Sequence, residues 1–575
     1  MLKKEILVIS LLLGIFLCSG LYYAVTNSIT SDEKTHISTG YIIVRFNDYR
    51  FNIEHPPFIK QLAGIPLLFM KLAFPLEVYK SSSAGSDIVN IQQLFLFKLG
   101  NNLDLMVFLA RLPCILISLL LGVFIYLFSK RLNGVYAGLV SLVCYICCPN
   151  FLGHSPLANF DVAVSCFYFM AVYFLIRYFE SASEKFIFLT AVFLGITIIS
   201  KYSGLILIPA VYILTVLGVF LCGDKDKKFN GKLNNWHFIL GIPAFVLVIA
   251  YKLSFWIVFP AFLIYLIKNR MRLAGKILLI VLTIGFMAAI LDYTNFKLFP
   301  FRSPTMAYFK GFAFFTGHAA GGHNAYLMGK YSNTGWRYYF PLAMLFKTPP
   351  VTICLIILGF VGLCKKSGNN LQKLFLLIPF LLYLFAACFI NKVNIGIRHI
   401  LVVYPFLFVI AGYSVIFLKS RLKQKLLKPV IFLSAFLLVL DVGSAYPAHL
   451  SYFNIMCGGI KNGYKLLGDS NIAWGQDYKR LKAYIDNNNI KEVKIESCFG
   501  GPFLYGYYGI PYADFLKQDY SNPREGFYVV ESTMLQSHNI KWVNDIAPAA
   551  RIGGSLLAYK ITKADAERIK KCFYQ

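Results

Sequence analysis

The residues best suited to chemistry begin just past the first apolar run, where Ser31, Asp32 and Glu33 lead into a stretch that continues through Phe51-Asn52-Ile53-Glu54-His55-Pro56-Pro57-Phe58-Ile59-Lys60. An acidic pair there sits at a membrane surface. A carboxylate in that place, followed by a Pro-Pro turn and an apolar segment carrying Lys60, can hold a lipid-borne phosphate beside a general base. The same pair also reads as part of a solvated loop. Further along, Gly153-His154-Ser155-Pro156 runs into Asn159-Phe160-Asp161 at the mouth of another apolar run. An ionisable group at that depth faces a wet cavity or a partner; as a helix cap it would satisfy orphan amides instead. Lys201, in Ile-Ser-Lys-Tyr-Ser-Gly, ends a further apolar segment on the same predicted face. It either binds an anion there or snorkels into headgroups.

These residues need a membrane to position them. The chain has 575 residues, 58% hydrophobic and 14% charged, with mean hydropathy +0.62, whereas soluble domains carry about 25% charge. Apolar runs long enough for a bilayer lie near 5–26, 105–128, 134–150, 160–178, 186–200, 203–222, 237–253, 254–267, 276–291, 339–363, 372–390, 398–417 and 429–445. The fold expected is thus a polytopic α-helical membrane protein of about 13 transmembrane helices. The first run has a basic start at Lys3 and Lys4 but lacks a small-x-small cleavage site, so it reads as a signal anchor.

Lys130 and Arg131, Arg177 and Lys185, the Lys225–Lys232 group, Lys268 to Arg272, Lys365 and Lys366, and Lys419 to Lys428 fall in alternate loops. By the positive-inside rule these loops are cytoplasmic, with the N-terminus inside and the C-terminal region outside. The net charge of +29 therefore reports topology and anionic lipid, and no nucleic-acid partner is expected. Most of the 13 cysteines lie in apolar runs as packing residues, Cys144, Cys147 and Cys148 among them.

Two long external loops, near 27–104 and 292–338, interrupt the spans. In the first, His55 to Phe74 reads as an interfacial helix beside which a lipid tail would lie. The second carries Arg302, Lys310, His318, His323, Lys330 and Arg337 among glycines and aromatics, as a substrate-covering loop would. No carboxylate or cysteine completes a metal site at its two histidines, and no metal ligand is assigned. Arg398 and His399 follow near another boundary. Past Tyr446, a helical pattern over 478–488 alternates with strand-like runs at 493–496, 527–531 and 555–561, giving a small external α/β domain. The expected division is a transmembrane domain over 1–445 and a periplasmic α/β domain over 446–575.

The ordered set Asp32-Glu33, Glu54-His55-Pro56-Pro57, His154-Ser155 through Asp161, and Lys201-Tyr202-Ser203 resembles the polyprenyl-phosphate-dependent membrane glycosyltransferases of the protein O-mannosyltransferase and lipid A aminoarabinose transferase superfamily. Gly329-Lys330-Tyr331-Ser332, Gly396-Ile397-Arg398-His399, Tyr446-Pro447 and Asp469-Ser470-Asn471-Ile472-Ala473-Trp474-Gly475-Gln476-Asp477 extend the resemblance over most of the chain. It implies the GT-C fold and a single inverting displacement on the external face of a bacterial inner membrane. A sugar would pass from a polyprenyl-phosphate donor to an envelope acceptor, which is a lipid, a glycan or a protein. Catalytic roles then fall to Asp32 as base, to Glu33 orienting that site or a neighbouring cation, and to Asp161. Glu54, His55, Lys60, His154, Lys201, Arg398 and His399 are the candidates for substrate and phosphate binding. No tightly bound cofactor is implied, the lipid-linked sugar being a substrate, and membrane lipids are the remaining partners.

Two departures stand out. Aminoarabinose transferases place Lys before the Pro-Pro pair where this chain has His55, and relatives commonly have an acid where it has Ala473. A transporter or flippase of lipid-linked sugars would use the same cations without a base. Carboxylates gathered at one membrane face, rather than at midplane on broken helices, favour the enzyme.

Overall fold

The computed structural model describes residues 2–82, 87–181, 183–223, 304–365, 370–537 and 539–574. The expected spans at 237–253, 254–267 and 276–291, the cationic groups at 225–232 and 268–272, and Arg302 lie outside the described residues. Among the described residues, six helices are long and apolar enough to cross a membrane: Lys3–Thr26, Leu103–Asn133, Phe160–Ser181, Asn370–Phe389, Ile397–Arg421 and Gln424–Ser444. Shorter apolar helices occupy Val135–Ile146, Lys185–Ser200 and Tyr202–Gly218. Each falls on an apolar run of the sequence.

The run at 339–363 is not one straight span. Tyr339–Lys347 and Pro350–Lys365 meet at 116°. Two consecutive prolines, Pro349 and Pro350, remove amide donors and disfavour helix in the residue ahead of them. Lys347, fully buried, donates to the carbonyls of Leu450 (2.8 Å) and Asn471. The break therefore places a cation inside the protein.

The helices pack around Phe160–Ser181, whose residues are buried nearly throughout. Cationic loops gather at one end of the bundle, where Lys130 pairs with Glu5, and Arg131 and Arg177 both approach Glu180. Asp32, Asp161, Lys201 and Arg398 lie at the other end, together with the α/β part.

The loop expected at 27–104 is largely helical. Ser31–Phe46 and Phe58–Gly64 cross so closely that a Cβ on Gly40 would stand 2.1 Å from the Lys60 carbonyl oxygen, and one on Gly64 2.4 Å from the Gly40 carbonyl carbon. Only two glycines permit this approach. The interfacial helix expected from His55 to Phe74 is the Phe58–Gly64 helix continued as a 3₁₀ turn over Ile65–Phe69. Its far end exposes Phe69, as an interface would require, whereas Lys60 at its start is buried. The described part of the second loop forms a helix, Pro304–Gly321, and an antiparallel hairpin of β1 (Ala325–Leu327) and β2 (Lys330–Ser332).

Beyond 478 the chain builds a five-stranded sheet from β3 (Val493–Glu496), β4 (Tyr512–Asp514), β5 (Gly526–Glu531), β6 (Ala550–Ile552) and β7 (Leu556–Ile561), in the order β4-β3-β5-β7-β6. β3 runs parallel to β4 and β5, while β5–β7 and β6–β7 are antiparallel. The Tyr478–Asn487 helix covers it through Tyr478, Leu481 and Ile485. Residues 446–477 connect the two parts and pack into both. Asn454 Nδ2, for instance, donates to the Leu345 and Thr348 carbonyls at 2.6 and 3.0 Å.

Candidate functional site

Asp32 and Glu33 are adjacent in sequence but opposite in role, because successive helical residues diverge by about 100°. Thr30 caps the Ser31–Phe46 helix, its backbone N–H and hydroxyl donating to Glu33 Oε2 at 2.9 and 3.0 Å. This arrangement turns Glu33 inward. There it meets Arg111 of the Leu103–Asn133 helix, both side chains having no exposure. Arg111 donates from Nε to Glu33 Oε1 (2.8 Å) and from Nη2 to Oε2 (2.7 Å). Its other N–H groups go to the carbonyls of Ala24, Asn27 and Ser28, so all its donors are matched. Ala158 N–H completes the Glu33 shell at 2.9 Å. Burial pushes the Glu33 carboxyl up, but the Arg111 charge and these hydrogen bonds outweigh it and hold the group below its ordinary value. Glu33 is thus paired with one neighbouring cation, Arg111. Both of its carboxylate oxygens are engaged by hydrogen bonds inside the protein.

Asp32 points the other way, one-third exposed, and its Oδ2 accepts from Arg398 Nη1 at 3.1 Å. The same Nη1 stands 3.7 Å from Asp161 Oδ2, and Asp161 Oδ1 accepts from Lys201 Nζ at 2.5 Å. Asp161, Lys201 and Arg398 are buried. The snorkelling alternative for Lys201 does not describe its place in the structure, since its ammonium is spent on a buried carboxylate. Two carboxylates and two cations from four distant segments thus form one chain of ion pairs, open to solvent at Asp32.

Arg398 is steered from two further sides. Its Nε donates to Ser470 Oγ at 3.2 Å, and its guanidinium carbon lies 4.3 Å from the centre of the Trp474 ring. The segment 469–477, which the sequence could not place, is therefore part of the site. Ala473 within it is fully buried, an environment that suits an uncharged side chain where relatives carry an acid.

Histidines surround this cluster. His36 is buried, with Nδ1 donating to the Ala158 carbonyl at 3.1 Å and its ring against Phe160. His55 also packs on Phe160, with ring centres 4.7 Å apart. His154 Nδ1 donates to the Asn150 carbonyl at 2.8 Å, and its ring lies 6.1 Å from Trp474. Burial pushes His36 and His154 down to about 4 and His55 well below its ordinary value, so all three are neutral.

Four atoms, His55 Nδ1, His154 Nε2, His399 Nε2 and Asp161 Oδ2, are buried without a hydrogen-bond partner among the described residues. An unmatched buried polar atom costs about 1–3 kcal/mol. Four of them in the surroundings of Asp161 mark a place for a polar ligand.

Lys60 and Glu54 stand apart from the cluster. Lys60 Nζ donates to the carbonyls of Asn52 and His55, the latter at 2.9 Å, so its ammonium fixes the backbone that carries His55. Glu54 faces His318 Nδ1 at 3.2 Å, about one-third exposed. Sequence reasoning missed Arg111, His36, Ser470 and Trp474. An arginine inside the 105–128 run was itself a signal, because a charge at that depth needs a partner.

Residues 93–249 match the family described as dolichyl-phosphate-mannose-protein mannosyltransferase. That segment contains Arg111, His154, Asp161 and Lys201, with Asp32 and Arg398 to either side. Solved structures similar to this chain include ArnT from Cupriavidus metallidurans in the apo state, 11% identical over 98% of this chain and 99% of that one, with a TM-score of 0.49. ArnT from the same organism bound to undecaprenyl phosphate is 11% identical over 96% and 97%, TM-score 0.44. The apo oligosaccharyltransferase of Archaeoglobus fulgidus is 12% identical over 92% of this chain and 70% of that one, TM-score 0.42. No curated protein matches the chain. The mannosyltransferase match over residues 93–249 bears out the resemblance to lipid-phosphate-dependent mannosyltransferases that the motifs carry.

Proposed function

We propose that this protein transfers a sugar from a polyprenyl-phosphate donor to an envelope acceptor, with inversion, on the external face of a bacterial inner membrane. The observation that carries the reading is Asp32, a carboxylate open to solvent and paired with Arg398, which bridges it to the buried Asp161–Lys201 pair. A base thus adjoins cations that can take a phosphate. Asp32 accepts the proton of the acceptor hydroxyl or amine as that atom bonds to the anomeric carbon. The bond from that carbon to the phosphate oxygen breaks, and its electron pair leaves with the polyprenyl phosphate. Arg398 and Lys201 stabilise the charge that develops there. Asp161 holds both cations, and His55, His154 and His399 supply hydrogen bonds to substrate polar groups. The external placement rests on the cationic loops at the opposite end of the bundle. The family description, naming a lipid-phosphate sugar donor, supports the donor class.

The test is release of polyprenyl phosphate from a mixed pool of lipid-linked sugars by the purified protein in nanodiscs, with envelope extracts supplying acceptors. Acceptor-dependent release should fall by roughly 10²–10⁴ in Asp32→Asn, the usual worth of a general base, while lipid binding persists. Unchanged lipid binding with no turnover by either protein would move the function to transport or flipping of lipid-linked sugars.

A further inference from the structure

Residues Asp469 to Asp477 run as a strap between the α/β sheet and the ion-pair chain, and the strap touches both ends of the Asp32–Arg398 pair. On the Arg398 side, Ser470 Oγ accepts from the guanidinium Nε and donates to the Ile395 carbonyl at 2.8 Å. Asn471 Oδ1 accepts the Ile397 N–H at 3.0 Å, and its Nδ2 reaches the Tyr339 hydroxyl at 2.9 Å. A Cβ on Gly396 would lie 2.4 Å from Ser470 Oγ, so the approach depends on glycine. Trp474 covers the guanidinium face. On the Asp32 side, the Trp474 carbonyl accepts the Ser31 N–H at 2.9 Å, the Gln476 carbonyl accepts the Ser28 N–H at 3.0 Å, and the Gly475 carbonyl accepts from Ser28 Oγ at 2.7 Å.

The strap is fixed at both ends. It begins at Asp469, held at φ 55°, a left-handed conformation uncommon outside glycine. It ends at Asp477, whose Oδ2 accepts from Gly554 N–H, Ser555 N–H and Ser555 Oγ, the last at 2.7 Å, just ahead of β7. An arginine side chain has several rotatable bonds, and the contacts to Asp32 and Asp161 at 3.1 and 3.7 Å both fall on Nη1. Hydrogen bonding at Nε together with stacking on one face leaves the fork a single orientation, with Nη1 aimed between Asp32 and Asp161.

We propose that the Asp469–Asp477 strap sets the Asp32–Arg398 geometry for the transfer, with Ser470 and Trp474 as positioning residues that act through Arg398. The inference rests on the proposed function for its kinetic consequence, and on the contacts alone for its structural one. A strap that merely docked the α/β part would need neither the Nε contact nor the stacked ring.

The experiment uses the full-length protein in nanodiscs with the lipid-linked sugar pool, reading kcat and KM separately. Ser470→Ala should lower kcat about tenfold, as loss of a hydrogen bond to a charged group does, with KM for the donor within about twofold, and Ser470→Thr should restore it. Trp474→Leu should lower kcat about threefold or more and Trp474→Phe less, following the stacking energy. In an Arg398→Lys background, which has no Nε to hold, Ser470→Ala should change kcat less than about twofold. Wild-type kcat in Ser470→Ala, or an equal loss in both backgrounds, overturns the proposal. If the wild type is inert toward every lipid-linked sugar, the proposed function fails, and the strap is decided by thermal unfolding of the wild type, Ser470→Ala, Arg398→Lys and the double variant. Non-additive Tm shifts for Ser470→Ala and Arg398→Lys support it, and additive shifts overturn it.

Discussion

Replacing Glu33 by Gln keeps the volume and removes one charge, so its cost can be worked from the hydrogen bonds. Oε1 accepts from Arg111 Nε and Ala158 N–H; Oε2 accepts from Arg111 Nη2, Thr30 N–H and Thr30 Oγ1. Whichever way the amide is turned, its NH2 faces at least two donors, one of them the guanidinium. Arg111 is left as a buried cation without a counter-charge, and breaking a buried pair in this way costs about 3–5 kcal/mol. Equilibrium or thermal unfolding in detergent should show that loss. The double variant Glu33→Gln/Arg111→Met should recover at least about 1 kcal/mol relative to the sum of the single changes, because it removes the uncompensated charge. The pH dependence has a definite sign. Since Glu33 titrates below its ordinary value in the folded protein, its contribution is complete above the unfolded carboxylate range near 4.5 and is lost as pH falls through the lower folded value. A Glu33→Gln protein within 1 kcal/mol of wild type, or strictly additive changes, would refute the reasoning.

Gly40→Ala should destabilise by at least about 1–3 kcal/mol, the usual cost of overpacking, because its new Cβ meets the Lys60 carbonyl oxygen at 2.1 Å; the unfolding midpoint checks it. Neutral buried histidines make stability fall as pH drops below about 6.5, where the unfolded chain binds protons that the folded one refuses down to about 4 at His36 and His154. The effect is on the order of 3 kcal/mol per residue at pH 4, and unfolding of His36→Gln between pH 7 and 4 should show a flatter profile than wild type. Lys201→Met should weaken binding of polyprenyl phosphate at least about tenfold, measured by titration in nanodiscs, since a hydrogen bond to a charged group is worth about 1.5–3 kcal/mol. Unchanged affinity would remove Lys201 from the phosphate site.

Apolar runs located the helices because a bilayer leaves the chain few ways to satisfy its backbone. The run at 339–363 misled only at its bend, where Pro349-Pro350 was in plain view but Lys347 carried no sign of being buried. Of the five C-terminal strands, β3, β5 and β7 were legible from their short apolar runs, whereas the three-residue β4 and β6 were not. The site was harder. Asp32, Asp161, Lys201 and Arg398 could be named singly, each as an ionisable group at the edge of an apolar run, yet their joining depends on contacts as far apart as 366 residues. Nothing local separates Lys60, spent on backbone carbonyls, from Lys201, which reaches the cluster. Nor does a sequence distinguish the inward Glu33 from the outward Asp32 until the helix is capped at Thr30. Trp474 stayed hidden because a tryptophan in a connecting segment is as often packing as recognition.

The charge balance of the cluster bears on how the proposed reaction proceeds. With Asp32 and Asp161 set against Lys201 and Arg398, no cation is in surplus before substrate arrives. A donor phosphate must therefore share cations already engaged by carboxylates, and its attraction in the ground state is moderated by them. As the acceptor proton passes to Asp32, that carboxylate becomes neutral and Arg398 loses the negative partner at 3.1 Å. In the same step the departing phosphate gains a negative charge. The guanidinium, held in place by Ser470 and Trp474, then faces stronger negative charge on the leaving group than on the base. The attraction is thus greater in the transition state than in the ground state, and an interaction of that kind raises kcat where uniform binding would only lower KM. Four charges from distant parts of the chain have to meet for this exchange to occur. Glu33–Arg111 and the Asp469–Asp477 strap brace the Asp32–Arg398 pair from two sides, which makes that one pair the point where folding and catalysis are coupled.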